Sequence, residues 1–127
     1  MPYRIYERDS IVEVLVWGMI SAPEIIEALR ELHHRDSRKQ ISDLWNMSES
    51  SMVPLTAFSE IIEAVHTLCS PDMVGRKSAI VVSSGLQKMA AQLYLSAAKD
   101  LPFEIQAFTS RKDAISWLMS DLKAASA

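Results

Sequence analysis

The segment Ser78–Ser84 (SAIVVSS) constrains the fold of this chain more than any other. Its centre, Ala79-Ile80-Val81-Val82, is a short uncharged run that is rich in β-branched residues. A run of this kind, without alternation of polar and apolar residues, is typical of a strand buried on both faces of a parallel sheet. A helical pattern over Leu86–Ala98 follows almost at once. The sequence therefore predicts a β-α unit in the interior of an α/β protein.

Strand patterns occur at four other places. Tyr3–Glu7 and Ile11–Trp17 are separated by a short polar break and predict an N-terminal hairpin. Ile41–Asn46 and Glu104–Phe108 predict two more strands, and the interior strand itself is expected over Lys77–Ser83. All but the first of these strands precede a helical pattern. The order β-β-α-β-α-β-α-β-α predicts a mixed, mostly parallel five-stranded sheet with the first strand antiparallel near an edge.

The helices are predicted from their caps and apolar stripes. Capping boxes at Ser21–Glu24 and at Ser84–Gln87 indicate where the first and third helices begin. Pro54 suits the first turn of the second helix, which is expected over residues 54–69. The third helix has a stripe that we expect to face the core, formed by Leu86, Met89, Ala90, Leu93 and Ala97.

Length, charge and cysteine content limit the class of protein. The 127 residues predict one domain over 1–123 with a loose tail at 124–127. A formal net charge of -3 provides no general attraction to nucleic acid, so no nucleic-acid partner is expected. No apolar segment is long enough to cross a bilayer, and the N-terminus lacks the apolar core of a secretory signal. With a single cysteine, Cys69, these features favour a cytoplasmic protein.

No catalytic motif is present in the sequence, so we expect a binding protein rather than an enzyme. His66 and Cys69 have a spacing that could place both on one helical face, but two ligands do not close a metal site. We therefore expect neither a metal nor a cofactor. Asp43 is flanked by apolar residues in a predicted inner strand. We expect it at the strand end, bonded to the following loop, rather than acting as a general base, because no catalytic partner is identifiable.

The segment Asn46–Met52 is predicted to be a polar loop that carries the functional surface. Ligands of open α/β sheets bind beyond the carboxyl ends of the strands, where this loop would lie. It offers hydroxyl groups for a switch or for partner binding, and adaptable methionines that suit an apolar ligand or a protein partner. With Asp43, the candidate residues are Met47, Ser48, Ser50, Ser51 and Met52.

Three segments together carry a resemblance to a known family. They are Lys39–Leu44, Lys77–Ser84 and Phe108–Leu118, the last with the pattern F-x-x-x-x-x-A-x-x-W-L. In this order they resemble the SpoIIAA-like family, which comprises the STAS domains and their single-domain bacterial relatives, often described as STAS/SEC14-like. The resemblance spans nearly the whole chain and implies the SpoIIAA-like fold.

The resemblance also implies a function. In anti-sigma factor antagonists of this family, a phosphorylatable serine lies between the third strand and the second helix, in an Asp-Ser-x-Gly-like turn. The corresponding loop here has neither an Asp-Ser step nor a glycine. The first interpretation is a non-enzymatic regulatory or protein-interaction module that uses loop 46–52 and helix 54–69. The alternative is a carrier of a small apolar or lipid-like ligand between the second and third helices, because the same broad fold includes lipid-binding SEC14-type domains. A symmetric homodimer is compatible with either interpretation.

Overall fold

One five-stranded sheet organises the protein. The computed structural model describes residues 3–8, 11–19, 21–36, 42–50, 58–68, 77–83, 86–97, 99 and 104–126. Within them the strands are β1 (Tyr3–Arg8), β2 (Ile11–Gly18), β3 (Ser42–Ser50), β4 (Lys77–Val81) and β5 (Glu104–Phe108). The helices are α1 (Ala22–Asp36), α2 (Phe58–Leu68), α3 (Leu86–Ala97) and α4 (Arg111–Ser126). The predicted α/β element order is confirmed.

The strands lie side by side in sequence order, β1-β2-β3-β4-β5. β1 pairs with β2 antiparallel at one edge, and every later pairing is parallel. β4 lies between β3 and β5, and all of its residues are buried except Ile80, which is half-buried. The prediction of a mixed, mostly parallel sheet with an antiparallel first strand is therefore confirmed, and so is the buried position of the SAIVV run.

Local sequence explains how α1 and α4 begin. The backbone and hydroxyl of Ser21 both donate to the Glu24 carboxylate, and the Glu24 backbone N–H points back to the Ser21 hydroxyl. This is the predicted capping box. β2 ends just before it at Gly18, whose φ of +66° lies in the left-handed region that favours glycine. Ser110 caps α4 by accepting a hydrogen bond from the Asp113 backbone N–H.

The sheet has a hydrophobic core on each face. On one face, α1 and α2 pack over the alternate valines of β2, Val12, Val14 and Val16, which are fully buried. Trp45 of β3 belongs to the same core and is almost fully buried. On the other face, α4 packs over Leu44, Ala79 and Val81 through buried side chains of its own, Ala114 and Leu118. The two faces follow from the two-residue period of a strand, which sends neighbouring side chains to opposite sides.

Among the described residues, two charged side chains, Glu13 and Lys77, are buried on the α4 face, and each has partners from α4. Glu13 accepts two hydrogen bonds from Arg111, at 3.0 and 2.6 Å. The Lys77 amino group donates to the Trp117 carbonyl and to the Ser120 hydroxyl, and lies 4.9 Å from the centre of the Trp117 ring. A charge can be buried when it is paired and hydrogen-bonded in this way, so these residues anchor α4 to the sheet.

The structure corrects three of the sequence predictions. β3 extends through Ser50, so residues 46–50 of the predicted loop are strand. α4 continues to Ser126, where a tail was expected from residue 124; the alanines of this segment are strong helix formers. The third correction concerns α3, whose Met89 and Leu93 are exposed while Ala91 is buried. α3 is apolar on most of its sides, so its periodicity does not fix which side packs.

A cavity beside Asp43 as the candidate functional site

A cavity of about 160 Å³ lies between the sheet and helices α1, α2 and α3. Its wall is largely apolar and it is partly open to solvent. The sheet contributes alternate residues of β3 and β4, and the helices contribute one or two turns each. The lining residues are Ile25, Leu29, Asp43, Trp45, Met47, Ser50, Ile61, Val65, Ser78, Ile80, Val82, Gln87, Ala90, Ala91, Tyr94 and Ile105.

Strand register brings the polar residues of the cavity together. Asp43, Trp45 and Met47 are spaced by two along β3, so their side chains point to the same face of the sheet. In the parallel pairing of β3 with β4, Asp43 is the partner of Ser78, and Trp45 is the partner of Ile80. A carboxyl and a hydroxyl from neighbouring strands therefore lie side by side on the cavity wall.

Small residues on α3 leave the space that the cavity occupies. Ala90 and Ala91 face the sheet where larger side chains would fill the gap, and Tyr94 lines the cavity one turn further along α3. Ile61 and Val65 of α2 complete the opposite wall and belong to the buried core. The cavity is thus bounded by well-packed residues, and its size follows from the alanine pair.

Asp43 is the acidic group of the cavity. The Ser78 hydroxyl donates to its carboxyl Oδ1 at 2.5 Å, and the Trp45 side chain provides a second hydrogen bond. Burial disfavours the ionised carboxylate and raises the pKa of Asp43 from 3.8 to about 7, although both hydrogen bonds act in the opposite direction. Near neutral pH the side chain therefore exists in both protonation states.

The position of Asp43 differs from the predicted one. It was expected at the end of the strand, bonded to the following loop, but it is the second residue of β3 and bonds to β4. The loop prediction failed because β3 is longer than its apolar core suggests. The strand continues through polar residues: Asn46 pairs with Leu15, the register then shifts, and Ser50 pairs with Gly18.

Ser50 and Gln87 join β3 to the start of α3 at one side of the cavity. The Ser50 hydroxyl donates to the Met47 carbonyl at 2.7 Å, and the Ser50 carbonyl accepts from the Gln87 side-chain amide. The Gln87 amide oxygen in turn accepts from the backbone N–H and the hydroxyl of Ser83. Gln87 was predicted to pair with Ser84, which lies outside the described residues.

Only some of the candidate residues predicted from the sequence line the cavity. Asp43, Met47 and Ser50 all line the cavity, and Met47 packs against the core rather than forming an exposed rim. Ser48 is half-buried and donates to the Asn46 side chain at 2.8 Å, away from the cavity lining. Ser51 and Met52 lie outside the described residues, as do residues 54–57 and 69 of the predicted contact helix.

Sequence reasoning missed the residues that come from other elements. Ser78 was part of the interior strand pattern, and Tyr94 lay outside the apolar stripe assigned to the third helix. The available signal was the two-residue alternation through Asp43, Trp45 and Met47, which indicates one shared face. No sequence pattern gives the register that places Ser78 next to Asp43.

The described residues offer the site neither a positive charge nor a group of metal ligands. None of the residues found to line the cavity is a lysine, an arginine or a histidine. Within the described ranges, no group of three His, Cys, Asp or Glu side chains is arranged to hold a metal ion. Across the same residues, no helix combines the length and hydropathy that a bilayer crossing requires. The arrangement suits non-covalent binding of a small apolar molecule, with one carboxyl to orient it.

Comparisons with known proteins address the fold. No protein-family model and no curated protein matches the chain. Among solved structures, it is similar to an uncharacterized protein of the DUF3478 family from Shewanella loihica PV-4 that has a SpoIIAA-like fold. The two share 16% identity over 91% of each chain, with a TM-score of 0.63. A structure of Mglu matches 66% of this chain and 20% of its own at 20% identity, with a TM-score of 0.43. The resemblance noted in the sequence is therefore confirmed at the level of architecture: this chain has a SpoIIAA-like fold.

Proposed function

We propose that this protein binds a small, largely apolar molecule in the cavity between the sheet and helices α1, α2 and α3. The observation that carries this proposal is the cavity itself, with its volume of about 160 Å³ and its apolar wall. An engineered apolar cavity of roughly 150 Å³ in another protein binds benzene. The site therefore suits one aromatic ring or a short alkyl chain, and its open side allows a longer molecule to extend outward.

Ligand pockets commonly combine an apolar wall with a few polar groups that fix orientation. Here Asp43 and Ser78 supply such groups from the sheet, and Tyr94 lies on the helical side. A protein that only needed a core at this place would gain stability from larger side chains on α3, because empty volume costs packing energy. The alanine pair and the buried carboxyl together support a binding role.

A pair of substitutions on α3 tests the proposal. Ala91→Leu adds a side chain to the cavity wall, whereas Gln92→Leu adds the same side chain at an exposed position that does not line the cavity. Binding of ethylbenzene is followed by NMR titration. We expect the wild type and Gln92→Leu to bind it and Ala91→Leu to lose at least ~10-fold in affinity. Equal binding by all three, or binding by none, would contradict the proposal.

A protein-interaction module is the second candidate. Met89 and Leu93 lie four residues apart on α3 and are 64% and 52% exposed, which gives this helix an apolar outer surface. The serine switch has less support among the described residues, since Ser50 is only 8% exposed and its hydroxyl already donates to Met47. Intact-mass measurement of native protein tests the switch, because phosphorylation of any serine, Ser51 included, adds a fixed mass.

A further inference from the structure

We infer that the occupant of this cavity is an apolar amine, whose protonated amino group donates hydrogen bonds to the Asp43 carboxylate while its ring or alkyl chain fills the apolar space. This inference rests on the proposed function and specifies the ligand class for that site. Three features carry it: among the described lining residues there is a single carboxyl and no cationic side chain, and the hydrogen bonds at the polar end leave acceptors open.

The carboxyl favours a donor from the ligand. An ionised carboxylate is an acceptor with about four lone-pair positions. Among the described residues, the donors to Asp43 are the Ser78 hydroxyl and the Trp45 side chain, which use two of them. Both remaining positions are suited to an N–H or O–H of a ligand. The Ser78 hydroxyl has already committed its hydrogen to Asp43, so it too meets a ligand as an acceptor.

Charge decides between the classes of donor. The titratable side chains that line the cavity are Asp43 and Tyr94, and no cation of the described lining offsets the carboxylate. A buried carboxylate without a partner is costly, whereas one with a cation and further hydrogen bonds is tolerated. A hydrogen bond between two charged groups is about twice as strong as a neutral one. A protonated amine therefore gains more than an alcohol, and a ligand carboxylate is repelled.

Release of a proton from Asp43 on binding distinguishes an amine ligand from a neutral one. Because the pKa of Asp43 lies near 7 in the empty site, the carboxyl is mostly protonated well below that pH. Binding of an ammonium group stabilises the ionised form, so the proton leaves Asp43 for solvent when the ligand enters. Amine binding should therefore release close to one proton at about pH 6 and almost none at about pH 8. A neutral hydrocarbon should release none at either pH.

Four probes of matched shape test the inference on the wild-type chain: 2-phenylethylamine, 2-phenylethanol, phenylacetate and ethylbenzene. Calorimetry in buffers of different ionisation enthalpy gives affinity and proton release, and NMR titration serves the poorly soluble hydrocarbon. At about pH 8 we expect the amine to bind ~10-fold or more tighter than the alcohol and the hydrocarbon, and phenylacetate to bind weakest. Asp43→Asn should remove the amine preference and the proton release, while ethylbenzene binds within about 3-fold of wild type.

The outcomes separate the two proposals. If ethylbenzene binds but the amine has no advantage, or if phenylacetate binds best, the inference is overturned and the apolar cavity stands. If no probe binds, both fail. If Asp43→Asn does not fold, the wild-type pH series decides alone, because an amine affinity that does not rise between about pH 6 and about pH 8 also overturns the inference.

Discussion

The buried carboxyl of Asp43 should make this protein less stable as the pH rises. In the unfolded chain its pKa is near the ordinary 3.8, and in the folded protein it is about 7. Between these two values the unfolded chain binds fewer protons than the folded one, so stability decreases with increasing pH. The stabilisation is complete below about pH 4 and is lost by about pH 7 to 8.

The size of the effect follows from the two pKa values. The interval from 3.8 to about 7, at about 1.4 kcal/mol per pH unit, corresponds to a loss of about 4 kcal/mol. Domains of this size have a total stability of about 5–15 kcal/mol, so the loss is a large part of it. At an m-value of about 2 kcal/mol/M, ionisation of this group should lower the urea concentration at the midpoint of unfolding by about 2 M.

The assay is urea unfolding of the wild type and Asp43→Asn from about pH 4 to about pH 8, followed by tryptophan fluorescence. Asparagine keeps the shape of the side chain but cannot ionise. The free energy of unfolding of Asp43→Asn, relative to that of the wild type, should therefore increase by about 4 kcal/mol as the pH rises across that interval. Any difference that the amide itself causes is the same at each pH and does not alter this change. Glu104→Gln, at an exposed position on β5, is the matched control and should follow the wild type within about 0.5 kcal/mol. A wild-type minus Asp43→Asn difference that stays flat with pH would refute the reasoning, since it would mean that the carboxyl is solvated in the folded protein.

Three other predictions concern the scaffold, and each is measured by urea unfolding at constant pH. Arg111→Ala should lower the free energy of unfolding by roughly 1–3 kcal/mol, because it leaves the buried Glu13 carboxylate without its partner. Adding Glu13→Leu should recover most of that loss. No recovery would show that lost packing, rather than the unpaired charge, explains it. Leu44→Ala should cost about 2–5 kcal/mol because Leu44 is fully buried, while Leu93→Ala at an exposed position should cost less than about 0.5 kcal/mol; similar costs for both would contradict the assigned cores. Ser21→Ala should cost about 1 kcal/mol through loss of the α1 capping box, and an unchanged stability would argue against that cap.

The fold was predictable from the sequence because its signals are local and agree with one another. The uncharged run at Ala79–Val82 predicted a strand buried on both faces, and the Ser21–Glu24 box predicted the start of α1. Such consistency across levels is what specifies a fold. The prediction failed where a local signal was ambiguous. Ser48 and Ser50 have side chains that favour turns, yet β3 runs through both positions. The register with β2 shifts at Ser48, and pairing resumes through Ser50.

The candidate site was less predictable because it depends on distances between elements. Asp43 was identified from its apolar neighbours alone. Its partner Ser78 is fixed by the register of β3 against β4, and the space beside them is fixed by which side of α3 faces the sheet. That side was assigned only in part: the predicted stripe included Ala90, which lines the cavity, but also Met89 and Leu93, which are exposed, and it omitted the buried Ala91. Burying the alanines instead leaves the volume that becomes the cavity.

The cost of Asp43 to stability and its proposed role in binding have the same physical origin. A carboxyl in an apolar cavity, with no cation among the described lining residues, destabilises the folded state at neutral pH, and an asparagine or a leucine would avoid that loss. A ligand that brings its own positive charge lowers the pKa of Asp43 and stabilises the ionised form in the folded protein only. Saturation with 2-phenylethylamine should then remove most of the decrease in stability between about pH 4 and about pH 8, whereas ethylbenzene should leave it in place. The free energy of folding that the ligand-free protein loses when Asp43 ionises is thus restored when an amine binds, but not when a hydrocarbon binds.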